Sequence, residues 1–199
     1  VSTSLAAAYS DSSCRRLERL SGPVAAVVAI GSILLATALS ATFTWWASAL
    51  SDLGTVGTTA WLFNGGLVIG SVVGLPYGWA LWTAAADWLG GIRAATFVAA
   101  LLSMAGVGLF PSGEMLHFPF AIGFFLLCAF TEVADGIARF GLTTGKLSMI
   151  VGISSIAIWP LWTGWLAPGS GIAIPEFIGA VLFCLWITAL SPERPGSPH

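Results

Sequence analysis

VAAVVAIGSILLATALSATF, residues 24–43, contains no charged residue and no proline. A helix of this length rises about 30 Å, the thickness of a bilayer's hydrocarbon core. Arg15, Arg16 and Arg19 stand ahead of it, as basic residues stand ahead of a signal sequence. From Gly22 to about Phe43, however, the apolar run exceeds the roughly 7–15 residues of a signal h-region. The stretch reads as a retained first membrane span.

Working outward, comparable runs recur, divided by Gly, Pro and polar clusters. Spans are expected at about 23–44, 60–83, 92–110, 117–136, 146–165 and 172–190. Composition agrees: the chain is 57 % hydrophobic and 8 % charged, where soluble domains carry roughly 25 % charged residues. Mean hydropathy is +0.92. The expected fold is all-α, a polytopic membrane protein built as a six-helix transmembrane bundle. It divides into an N-terminal segment (1–22), the six-span domain (23–190) and a tail (191–199).

All seven basic residues fall on one side of these spans: Arg15, Arg16, Arg19, Arg93, Arg139, Lys146 and Arg194. The connections 45–59, 111–116 and 166–171 have none. By the positive-inside rule both termini are cytoplasmic and the chain sits in the cell membrane. Trp45, Trp46, Trp61, Trp162 and Trp165 gather near the outer ends and Trp82, Trp88 and Trp186 near the inner ones, as interfacial indoles do. Gly65, Gly66, Gly70 and Gly74 on the second span suit close helix packing within the bundle, or a homo-oligomer face. Pro76 and Pro160 are expected to kink the second and fifth spans. A net charge of −2 without a basic patch implies no nucleic-acid partner. Cys14, Cys128 and Cys184 read as packing residues, not as a disulfide framework or a thiolate metal site.

The polar residues on the outer side are few. Asp52 lies in a small turn, with Asn64 about one helical turn inside the second span. Glu114 and His117 follow the Pro111–Gly113 turn, and Glu176 follows Pro175. Each acid could simply cap a turn or face the positive end of a helix dipole; Asp52 would accept from the amides of Gly54 or Thr55. As a set they could also converge on an outward-facing cavity, since ionisable groups at membrane depth usually mark function.

Three chemistries suit such a cluster. Glu114 and His117, three apart, would share one helical face, and with Asp52 and Glu176 they offer ligand types for Zn, Mn or Fe. The only other histidine is His199, and there is no HExxH motif, so metal and cofactor content stay open. A Glu–His pair could activate water, with Ser48 or Ser51 as a nucleophile, although no GxSxG elbow is present. Binding of a lipid headgroup or another amphiphile fits equally. On the inner side, Glu132 could serve as a proton relay; more simply it pairs with Arg139 or Lys146.

The motifs SALSDLG (48–54), WLFNGGLVIG (61–70), GLFPSGEMLHFPFAIGFF (108–125) and AIPEF (173–177) together resemble the DUF998 family of bacterial and archaeal membrane proteins. The resemblance covers roughly residues 25–190. It implies six spans, and its motif positions fall on Ser51, Asp52, Gly54, Asn64, Pro111 and His117. The family's molecular function is unknown, so it implies no activity. A fainter likeness is to the Frag1/DRAM/Sfk1 group, linked to lipid and membrane homeostasis.

The expected function is binding, or processing, of a lipid or small amphiphile at an outward-facing polar site, with membrane lipids as partners. Asp52, His117 and Glu114 are the catalytic candidates; Ser51, Asn64 and Glu176 are the ligand-binding ones. The alternatives are a small transporter or proton-coupled permease, and a non-enzymatic structural or stress-related membrane component.

Overall fold

A computed structural model describes residues 2–167 and 169–194, and side chains from residue 13 onward. Six helices follow one another: α1 (Ser2–Leu39), α2 (Gly57–Thr83), α3 (Trp88–Leu109), α4 (His117–Ala138), α5 (Thr143–Leu161) and α6 (Ala173–Leu185). Two of them continue as π-helical turns, α5 through Trp162–Leu166 and α6 through Trp186–Leu190. A single 3₁₀ turn, Leu50–Gly54, lies between α1 and α2. Among the described residues there is no strand, and six helices are long and apolar enough to cross a membrane. The tail positions 195–199, with His199, lie outside the described residues.

Sequence neighbours pack in order from α1 to α5, and α6 touches α1, α4 and α5, which closes the bundle. Two ends result. One carries the connections α1–α2, α3–α4 and α5–α6, with Asp52 and Glu114 and no Lys or Arg; it is called the acidic end below. The other carries every Lys and Arg and is called the basic end.

α1 stops at Leu39, five residues short of the expected boundary. The Ser40 hydroxyl takes the Phe43 amide (3.2 Å), which turns the chain before the β-branched Thr42 and Thr44. At the start of α3, Asp87 is a regular N-cap whose carboxylate accepts from the Gly90 amide at 2.7 Å. α2 and α5 each run on through their internal prolines.

The glycine series on α2 divides by face. A Cβ at Gly66 would overlap the Ser32 side chain, and one at Gly70 would meet Ala29 and the Ala25 carbonyl at 3.3 Å, so these two let α1 and α2 approach closely. Gly65 has nothing within 4 Å. A second tight seam joins α4 to α5, where Gly136 lies against the Met149 backbone and Gly152 against the Ala129 carbonyl.

The core is aromatic. Phe97 on α3 contacts Tyr77, Phe183 and Trp186, with ring centroids 5.4, 5.7 and 6.1 Å apart. Trp186, expected at the headgroup level, is instead fully buried, because its indole N–H donates to Asp135 at 2.9 Å. Trp61, Trp82, Trp88 and Trp165 do face outward. So do Val27, Ile69, Leu102, Phe130 and Ile153, an apolar exterior suited to lipid and unsuited to water.

At the basic end Asp135 is the hub. Its carboxylate accepts from Arg93 (3.1 Å), Arg139, the Ser148 hydroxyl (2.7 Å) and Trp186, so α3, α4, α5 and the π turn after α6 meet on one side chain. Arg139 also donates to the Leu190 carbonyl at 2.7 Å. Arg93 is buried inside α3. One correction follows. Glu132 pairs with neither Arg139 nor Lys146: it points into the α4–α5 seam, where among the described residues its one partner is the Ser155 hydroxyl at 3.0 Å and Oε1 has none. Asp135, one turn nearer the helix end, holds Arg139 in its place.

Candidate functional site

The acidic end is assembled from three connections that hold one another. The α1–α2 connection folds back on itself, the Thr44 amide taking the Ser48 hydroxyl at 3.2 Å. It is then strapped to the α5–α6 connection by two backbone bonds: Gly171 N–H to the Trp46 carbonyl (2.7 Å) and Ala173 N–H to the Ser48 carbonyl (2.9 Å). The Trp162 indole donates to the Gly171 carbonyl at 2.9 Å, and its ring packs on Trp46. Glycine is required at 171, since a Cβ there would run into the Ala47 and Ser48 backbone.

Asp52 faces backward along its own turn. Its Oδ2 accepts from the Ala49 amide at 2.8 Å, as an acidic residue at the third helical position reaches back in a capping box. The expected forward bonds to Gly54 and Thr55 amides are not its role; the Thr55 amide goes to the Asp52 main-chain carbonyl. Asn64 locks the same turn from below, its amide donating to the Gly54 carbonyl at 2.9 Å, while Asn64 Oδ1 is buried without a partner. Gly54 has no room for a side chain beside that oxygen. The S-D-L-G turn is therefore a hydrogen-bonded platform, with Ser51 and Leu53 of the turn and the preceding Leu50 buried.

Glu176 lies in the first turn of α6, beside the positive end of that helix. It is 7 % exposed, and its Oε2 accepts from the Leu50 amide at 2.6 Å, which fastens the platform to α6. His117 opens α4, with Nδ1 2.8 Å from the Phe110 carbonyl. A carbonyl can only accept, so Nδ1 carries a proton and Nε2 is the nitrogen left for another partner. Glu114 stands exposed in the preceding turn, where Gly113 adopts φ +100°.

Two cavities meet at this platform. The first, about 80 Å³, is lined by Leu50, Ser51, His117 and Glu176 at one end and runs among α1, α2, α3, α4 and α6 to Ala25 and Ile187. Its wall on α1 extends from Ile33 back to Ala25, a helical rise of about 12 Å. So small a volume over that length makes a narrow apolar channel. The second, about 460 Å³, also contacts Ser51, His117 and Glu176 and passes between α4 and α5 beside Phe118, Ile122 and Trp159. Phe118 and Ile122 are exposed on the apolar exterior, so this cavity opens sideways.

Of the six sequence candidates, the structure brings Ser51, His117 and Glu176 to both cavities. Asp52 and Asn64 lie in the platform beneath them, and Glu114 stands apart. Among the described residues no group of three or more His, Cys, Asp and Glu is placed to hold a metal ion. Sequence reasoning missed the channel itself. Ala25, Ala26, Ala29 and Ile33 on α1 recur at helical spacing, but a small-residue face reads equally as tight packing.

The family model described as "Protein of unknown function (DUF998)" matches residues 23–192. No curated protein and no solved structure matches the chain.

Proposed function

We propose, from the premise that the chain belongs to the DUF998 family, that it binds a lipid or another small amphiphile, with the polar head at Ser51, His117 and Glu176 and the apolar chain in the channel beneath. One observation carries this reading. A buried polar group stands where a narrow apolar channel meets a cavity open to the bundle's lipid-facing side. Water-soluble ligands do not need a lateral entrance or an apolar floor; a molecule already dissolved in the bilayer does. The site faces the outer leaflet of the cell membrane and both termini are cytoplasmic, since every Lys and Arg is at the opposite end.

Native mass spectrometry of protein released from lipid nanodiscs tests the reading. Wild-type protein retains one amphiphile per chain. Ala180→Phe, which fills the channel wall one helical turn below Glu176, abolishes retention without loss of the folded state. Bare wild-type protein, or retention unchanged by Ala180→Phe, would sink the idea.

A second reading, a small proton-coupled carrier, is favoured by Glu132 alone. A fully buried carboxyl with one orphan oxygen and no cation is an unusual expense inside a membrane.

A further inference from the structure

The groups that face a ligand head at this site share one property. Ionised Glu176 only accepts hydrogen bonds, His117 keeps Nε2 for a further partner because Nδ1 is committed to Phe110, and the Ser51 hydroxyl adds a further oxygen. No Lys or Arg occurs in any of the three connections at this end, and all seven lie at the other. Glu176 is buried, its Oε2 accepts from the Leu50 N–H, and Asp52 is a nearby acid. Ionised, a carboxyl so placed lacks a counter-charge until a cation arrives.

We propose that the head group bound here is a primary ammonium, so that the ligand is a long-chain alkylamine or an amphiphile ending in such a group. The proposal rests on the amphiphile reading above and names its substrate class. A primary ammonium brings three N–H donors and one positive charge, to set against three potential acceptors and the charge of an ionised Glu176. Phosphate, sulfate and carboxylate heads bring only acceptors and a repelled charge. A hydroxyl head brings one donor and leaves Glu176 uncompensated.

The test is equilibrium binding of radiolabelled dodecylamine to the protein in nanodiscs of uncharged lipid, with dodecanol and dodecyl phosphate as competitors. The expected result is saturable binding at one per chain, with both competitors at least about tenfold weaker. Glu176→Gln, whose amide oxygen still accepts from Leu50, weakens dodecylamine by at least about tenfold and dodecanol by less than about twofold. If dodecanol or dodecyl phosphate competes as well as dodecylamine, or Glu176→Gln binds dodecylamine normally, the ammonium assignment is overturned and the amphiphile site stands. If none of the three binds saturably, the amphiphile reading itself falls. The competitor series decides the matter on wild-type protein even where the variant fails to fold.

Discussion

Asp135 and Glu132 lie about one turn apart on α4, both fully buried, yet their surroundings set opposite costs on losing the carboxyl. Asp135 neutralises Arg93 and Arg139 and takes two further donors. Asp135→Asn leaves those guanidinium groups buried without a counter-charge and should destabilise by about 3–5 kcal/mol. Glu132→Met removes an orphaned oxygen and one serine bond, and should leave stability within about 1 kcal/mol of wild type or raise it. Unfolding in mixed micelles followed by tryptophan fluorescence checks both; equal losses would refute the distinction. At this scale the sequence was only partly legible. That Asp135 and Arg139 share a helix face is visible from their spacing of four, but the arrival of Arg93, Ser148 and Trp186 from three other elements is not. Likewise the turn 49–55 is readable as a capped turn, whereas the hold of Asn64 on Gly54 and of Glu176 on Leu50 is not.

Helix seams show the same division among elements. The Gly65–Gly74 series could be recognised as a packing stripe, but only the position of α1 tells which glycines face it. Gly66→Val drives a branched side chain into Ser32 and should cost about 1–3 kcal/mol. Gly65→Ala meets nothing and should gain about 0.5–1 kcal/mol from helix propensity. Thermal unfolding of the two variants side by side measures the contrast, and a loss in Gly65→Ala would mean that face is covered, as by a second copy of the chain. Element existence was legible throughout because runs of about twenty apolar residues have few alternatives. Element ends were less so: α1 stops early at a serine, and α5 and α6 end in π turns that open at Trp162 and Trp186.

For the molecule as a whole, the division of charge between the two ends predicts a topology. In a chain with Cys14, Cys128 and Cys184 replaced, Glu114→Cys should react with a membrane-impermeant maleimide on intact cells. Gly141→Cys, exposed at the basic end, should react only after permeabilisation. The reverse pattern would invert the bundle and place the polar platform on the cytoplasmic face. The site's membership could be read partly from the chain, since polar residues are scarce enough to count. Their meeting could not, because it depends on a strap between connections more than a hundred residues apart. That strap has a temporal side. Trp46 and Ser48 leave the ribosome long before Gly171 and Ala173, so the first hairpin waits, its platform unfinished, until the last helix enters the bilayer. The finished platform thereby belongs to the whole bundle and to no part of it.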